Sequence, residues 1–215
     1  MIGESMPSGA DAARKHRRLP AGERRQELID ATLDCLSRLG PHGTGVRDIC
    51  DRAGVSPGLL RHYFDGKNEL IVEAYRALTR EYHGNLQRAL SGRGEPADER
   101  LRSFFDAYFS SQVSGAERAG TYVAFWNLGR TDPAIQRIQR AAYRRLRKLL
   151  ASVSSELAED RGVRIEAEQV ASSLIALLDG YWLDMCIDPK RFSRAKARAA
   201  CWEWLETFIR GSRPR

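Results

Sequence analysis

Between residues 44 and 67 the chain gathers side chains suited to phosphate and to base edges: Thr44, Arg47, Ser56, Arg61, His62, Tyr63 and Lys67. Guanidinium and ammonium groups pair with phosphate oxygens, hydroxyls and backbone N–H groups hydrogen-bond to them, and an arginine can take guanine O6 and N7 together. Their placement adds to this. Ser56 suits a helix N-cap and Pro57 the first helical position, so a short helix runs from Pro57 to about Phe64. A second short helix covers about Val46 to Ala53, and Gly54-Val55-Ser56 makes the tight turn between them. Gly54 permits the turn and Val55 anchors it. Helix, tight turn, helix can bring the end of a short helix into a major groove. On spacing alone, an ordinary helical hairpin fits as well.

A second set lies in the later half. Tyr122, Phe125 and Trp126 fall on one helical face, Phe105 and Tyr108 on another helix, and Asp179, Tyr181 and Trp182 on a third. Aromatic faces with a carboxylate suit a small cationic ligand, held by cation–π and charge attraction. The pocket set expected on this basis is Phe105, Tyr108, Tyr122, Trp126, Asp179 and Trp182. Asp179 sits in a helix apolar nearly all round, so its charge needs a partner. The alternative is that the aromatics are core and Asp179 pairs with an arginine. Asp184, near the helix end, reads as solvated.

Catalysis and cofactors find little support. The four histidines, at 16, 42, 62 and 83, are far apart, and H-E-x-x-H does not occur; the G-x-S-x-G pattern at residues 54–58 falls in the turn between two short helices, with no strand pattern before it. We expect no catalytic residue, metal ligand or cofactor. Cysteines 35, 50, 186 and 201 form no C-x-x-C pair and no metal spacing. Cys35 and Cys50 read as core thiols. Cys186 and Cys201 leave redox sensing as an alternative.

The elements that must position these groups are helices throughout. The 215 residues carry net charge +7 and are 42% hydrophobic, which excludes a disordered chain. The longest strongly apolar run is Leu174 to Leu178, so no segment is expected to span a bilayer, and a reduced, cytoplasmic protein is expected. Residues 1–19 read as a flexible basic arm around Arg14-Lys15-His16-Arg17-Arg18. Ile29, Leu33 and Leu36 open a helical pattern that Gly40-Pro41 ends. Beyond Asp65-Gly66, helices are expected at 67–90, 97–112, 116–129, 133–160, 166–187 and 193–210. The expected fold is therefore all-α, with about nine helices. An N-terminal three-helix helix-turn-helix DNA-binding domain over residues 20–66 sits on a larger helical ligand-binding and dimerisation domain over 67–215. The charge is uneven: residues 1–65 carry only +1, while 133–150 carry +6. Arg137, Arg140, Arg144 and Arg147 there read as a solvated stripe.

The run from Arg47 to Phe64, with Lys67 and Leu70 after it, resembles the TetR family of transcriptional regulators: A-G-V-S-x-G, then H-Y-F, then K-x-x-L. The likeness is strong over residues 23–70, and the family's domain would extend to about 83. It implies that the helix from Pro57 lies in a major groove. By position, Arg47, Pro57, Gly58, Leu59 and His62 would face bases, and Ser56, Arg61, Tyr63 and Lys67 would hold phosphates. The chain departs from the family at Gly45, where Thr or Ser is usual. Either Thr44 caps the second helix and touches phosphate, or that contact is lost. Cys50 replaces the usual Ala.

In the later half, Ala124-Phe125-Trp126, Arg130-Thr131-Asp132-Pro133-Ala134 and Leu177-Leu178-Asp179-Gly180-Tyr181-Trp182-Leu183 resemble the BetI-type, choline-responsive repressor branch. This implies a BetI-like regulatory domain without implying choline as the ligand. The last two helices, about 166–187 and 193–210, are the expected homodimer surface. Val170, Leu174, Leu177, Leu178 and Tyr181 mark one face, and Ala195, Ala199, Trp202, Leu205 and Ile209 the other. The expected function is a homodimeric repressor on a pseudo-palindromic double-stranded operator, released by a small-molecule effector, for which a cation is one reading. A constitutive DNA-binding protein and an all-α enzyme are the alternatives.

Overall fold

The computed structural model describes residues 20–92, 94–110, 116–188, 190–191 and 193–214; the basic arm lies outside them. Nine α-helices follow one another among the described residues: α1 Ala21–Gly43, α2 Val46–Ala53, α3 Pro57–Tyr63, α4 Lys67–Leu90, α5 Ala97–Tyr108, α6 Ala116–Leu128, α7 Pro133–Asp160, α8 Ala167–Ile187 and α9 Arg194–Arg210.

Local chemistry explains most boundaries. Gly40 takes φ 67° and breaks α1 where Gly-Pro punctuation predicts, but one more turn follows to Gly43. The Thr44 N–H and hydroxyl close that turn by donating to the Gly40 carbonyl at 3.2 and 2.8 Å. α2 starts at Gly45, whose N–H donates to the Asp48 carboxylate at 2.7 Å. Asp132 caps α7 by accepting from the Ala134 and Ile135 N–H groups at 2.8 and 3.1 Å. α5 ends at Tyr108 rather than near 112, and the Phe109 N–H still reaches the Phe105 carbonyl at 3.1 Å.

Two apolar clusters organise the chain. One joins α1, α2 and α3 through Leu28, Leu36, Ile49 and Leu60, each 0% exposed. Each such side chain contributes roughly 2–3 kcal/mol by leaving water. This cluster does not stop at residue 66: Leu70, Ala74, Tyr75 and Leu78 of α4, Phe125 of α6 and Ile135 of α7 complete it. The other cluster joins the end of α4 to α5, α7, α8 and α9. α4 therefore runs through both.

α8 corrects one expectation. By length and composition alone it matches a membrane-crossing helix, but a core helix matches the same description, and α8 packs into the second cluster. Its Val170, Leu174 and Leu178 side is 0% exposed within one chain, so those residues are core rather than dimer face. Leu205 and Ile209 of α9 are likewise buried in the same core. The outer side of α8 is Ala176, Gly180, Leu183 and Ile187, all exposed, with Leu177 half-buried beside them. On α9, Ala195 and Ala199 stay exposed and Trp202 is half-buried. Asp184 is exposed, as expected. Arg137, Arg140 and Arg144 of α7 are exposed, opposite buried Ile135 and Leu146.

Candidate DNA interface and ligand cavity

The turn between α2 and α3 is built from Gly54 at φ 65°, with the Val55 N–H donating to the Cys50 carbonyl at 2.9 Å. Left-handed backbone of this kind favours glycine. Ser56 Oγ accepts from the Leu59 N–H at 3.2 Å, and Pro57 opens α3. Leu60, 0% exposed, and Phe64, 2% exposed, hold α3 down on the core. Arg25 of α1 lies over the Phe64 ring at 4.9 Å and pairs with Glu73 of α4 at 2.8 Å, tying these elements together.

With Leu60 turned inward, the other side of α3 faces outward. Arg47, Ser56, Pro57, Gly58, Arg61 and His62 are exposed, and Leu59, Tyr63 and Lys67 are half-buried. A Cβ on Gly58 would meet nothing nearer than Ser56 Oγ at 3.8 Å, so intrachain packing does not require glycine there. Its bare surface permits close approach by another molecule. Thr44 stands apart. It is 0% exposed and its hydroxyl is spent on the Gly40 carbonyl, so it does not join this surface. Of the two readings of the Gly45 departure, the geometry fits loss of that contact.

The second site is a cavity walled by Tyr75, Thr79, Tyr82 and His83 of α4, Tyr108 of α5, Tyr122 and Trp126 of α6, Tyr143 and Leu146 of α7, and Asp179 and Trp182 of α8. Five of the six expected residues meet here. Phe105 does not: it is 2% exposed and packs edge-on to Trp202 of α9, with ring centroids 6.4 Å apart. The α4 residues were missed, although 75, 79, 82 and 83 follow the i, i+4, i+7, i+8 spacing of one helical face. Tyr143 was masked by the arginines around it in sequence.

Among the described residues, Asp179 pairs with phenols and not with an arginine. Tyr108 donates to its Oδ1 at 2.5 Å and Tyr143 to its Oδ2 at 3.1 Å. Burial raises its pKa above the usual carboxylate value, an effect larger than the lowering by the two phenols. Burial likewise raises Tyr82, Tyr108 and Tyr143, so all three remain protonated donors at neutral pH. It lowers His83 to about 4, leaving a neutral imidazole. Aromatic rings close the rest. Trp182 stands edge-on to Trp126 at 5.2 Å and to Tyr122 at 5.8 Å, and Tyr82 lies 5.5 Å from Tyr122. Trp126, 36% exposed, is the most open of the lining residues.

The two sites share helices. Trp126 lines the cavity, while its neighbour Phe125 is 0% exposed in the first core and lies 4.3 Å from the Tyr75 ring. The thiols stand aside from both. Cys35, Cys50 and Cys201 are buried and Cys186 is half-buried, and burial pushes Cys201 up to about 12. Such thiols carry little nucleophilic thiolate at neutral pH.

Comparison with known proteins agrees with this division. Residues 28–74 match the tetR family of bacterial regulatory proteins, and residues 96–210 match the C-terminal domain of BetI-type transcriptional repressors. The HTH-type transcriptional regulator BetI of Vibrio vulnificus is 33% identical over 189 residues, covering 85% of this chain and 91% of that protein. The crystal structure of a transcriptional regulator from Pseudomonas aeruginosa PAO1 superposes with TM-score 0.82 at 38% identity, covering 90% of this chain and 94% of the other. A regulator from Saccharomonospora viridis, solved in complex with choline, shares the fold with TM-score 0.76 at 20% identity, covering 86% and 96% of the two chains. The chain belongs to the TetR family of transcriptional regulators, and its C-terminal domain is of the BetI repressor type.

Proposed function

We propose that the chain is a homodimeric repressor whose hold on its operator is released by a small cation in the α4–α8 cavity. The observation that carries this is Asp179, a part-buried carboxylate that among the described residues pairs with phenols and is surrounded by aromatic rings, with no Lys or Arg among the described lining residues. Aromatic rings and a desolvated carboxylate attract a cation together. The choline held by the Saccharomonospora viridis regulator supports the same class of effector.

On the DNA side, Arg47, Pro57, Gly58, Leu59 and His62 face bases, and Ser56, Arg61, Tyr63 and Lys67 hold phosphates. The arm at residues 1–19 adds phosphate contacts. The second copy docks on the outer side of α8, where Ala176, Gly180, Leu183 and Ile187 are exposed, and on the adjoining α9 face with Ala195 and Ala199. A two-fold dimer presents two α3 helices, hence a pseudo-palindromic operator. The effector prefers the dimer whose α3 spacing mismatches the operator, and linkage then lowers DNA affinity.

The test is DNA selection with the purified chain, followed by mobility shift on the selected site with choline titrated in. Two half-sites and release by choline are expected. Tight binding that no cation releases would instead mean a constitutive DNA-binding protein. A monomer by light scattering at micromolar concentration would remove the α8–α9 interface.

A further inference from the structure

The outer side of α7 is basic and free of acid. From Pro133 to Ser155 the chain holds no Asp or Glu, yet six Lys or Arg: Arg137, Arg140, Arg144, Arg145, Arg147 and Lys148. All are exposed except Arg147, which is half-buried with its Nε unpartnered. None of them pairs with a carboxylate among the described residues. Arginines elsewhere on the surface do find one. Arg38 and Arg52 share Asp34 at 3.1 and 2.6 Å, Arg161 meets Glu206 at 3.3 Å, and Arg198 meets Asp106. On α7 the successive steps from Arg137 to Arg140, Arg144 and Lys148 are i, i+3 and i, i+4 spacings, at which like charges repel and weaken a helix. Ile135, Leu146 and Leu150 on the opposite side, each 3% exposed or less, dock the helix. A partner that neutralises such a face carries anionic groups at close, regular spacing, and a nucleic-acid backbone has them. The position of the face agrees. Ile135, at the start of α7, is buried in the core of the DNA-binding domain with Leu70 and Tyr75 of α4. About two turns later the Tyr143 ring lies 6.5 Å from that of His83. α7 therefore rises beside α4, with its Arg137 end toward the DNA-binding domain. Lys67, at the start of α4, lies about two turns below Tyr75, or roughly 12 Å along the helix. A duplex bent toward the protein covers such a distance at modest cost.

We propose that Arg137, Arg140 and Arg144 form a second DNA contact, with the phosphate backbone of the duplex that flanks the operator, bent up along the side of the protein. This rests on the reading of α3 as the operator-binding helix. α3 sets the site, and α7 adds affinity without reading sequence.

Mobility shift with the full-length chain tests this on two duplexes carrying the site that the wild-type chain selects. One ends at the outer edges of the half-sites, and the other adds two helical turns, about 20 base pairs, on each side. The longer duplex should bind about tenfold or more tighter at low salt, and its log affinity should fall more steeply with log salt, by about 1 for each added phosphate contact. The combined variant Arg137→Gln, Arg140→Gln, Arg144→Gln should lose that gain and bind the short duplex as the wild type does. It should melt no lower than the wild type, because the replaced side chains are exposed and their mutual repulsion is relieved. A charge-matched control at the far end of α7, Arg161→Gln, Arg164→Gln, Arg213→Gln, should keep the gain. Equal binding of the two duplexes by the wild type overturns the inference and leaves the α7 face to an acidic protein or to water. A gain that survives in the α7 variant assigns the flank to residues 1–19 and overturns it as well. A gain lost equally in the control means that net charge acts rather than this face. Selection that yields no site removes the α3 reading itself, and this inference with it.

Discussion

Gly120 of α6 meets the Ser37 carbonyl of α1 so closely that a Cβ at residue 120 would stand 2.6 Å from that oxygen. One residue later, the Thr121 hydroxyl reaches the Leu33 carbonyl of α1 at 3.4 Å. Tyr122 and Trp126 of the same helix wall the cavity, and Phe125 lies in the core beneath α2 and α3. α6 thus touches the cavity and α1 at once. Under the proposed function, a shift of α6 on ligand entry would bear directly on α1.

Gly120→Ala tests that contact. The substitution gains about 1 kcal/mol of helix propensity. Overpacking costs about 1–3 kcal/mol, and here the obstacle is backbone rather than a movable side chain. The clash should win: we expect a melting temperature lower by a few degrees and weaker operator binding without effector. Calorimetric melting and mobility shift check both, and a rise in melting temperature would mean that α1 and α6 are not in this register.

Asp179→Asn separates charge from shape. Cation binding should fall about tenfold or more, since the carboxylate's charge is gone while its size is kept. The pH dependence should change too. The folded value of Asp179 lies above the ordinary 3.8, so its contribution to stability is full below 3.8 and is lost as pH rises through the folded value. The variant should therefore melt with a flatter profile on the rising side of pH 4. An unchanged profile would place Asp179 in water.

His83 acts in the opposite sense. Its folded value near 4 lies below the ordinary 6.5, so the unfolded chain takes up the proton first as pH falls. Stability present above 6.5 should decline between 6.5 and 4. His83→Gln should remove that decline, read from denaturant midpoints across the same range.

At the DNA surface, Lys67→Ala should weaken binding to all sequences and reduce the slope of log affinity against log salt by about 1. Arg47→Ala should cost about 1–3 kcal/mol and relax choice at one position of the half-site. Deleting residues 1–19 should flatten the salt dependence while leaving operator choice in place. A mobility-shift salt series on matched and mismatched operators distinguishes the three, and identical behaviour of the two point variants would contradict their different roles.

Thiol labelling addresses redox control. Cys186, half-buried, should react in the folded chain, while Cys35, Cys50 and Cys201 should react only on unfolding. Fast labelling of Cys201 would contradict its raised pKa.

Helix periodicity, Gly-Pro breaks and capping residues are local signals, so the sequence by itself determined the helix order and the helix-turn-helix surface. Turn chemistry at Gly54-Val55-Ser56-Pro57 leaves little freedom within so short a stretch, and the outward residues of α3 follow from Leu60 facing in. The cavity was legible only in part. Tyr108, Tyr122, Trp126, Asp179 and Trp182 share the types that a cation site needs, but which side of each helix faces which neighbour is a property of packing. That decided the fate of Phe105, turned toward Trp202, and brought in Tyr82, His83 and Tyr143. It also turned Val170, Leu174 and Leu178 inward, because a helix apolar on nearly every side can bury any of them and its own sequence does not say which. Thr44 shows the same limit at one residue. A hydroxyl next to a helix start suits a phosphate, yet the nearest acceptor in the folded chain is the Gly40 carbonyl, and the shorter hydrogen-bond path takes it.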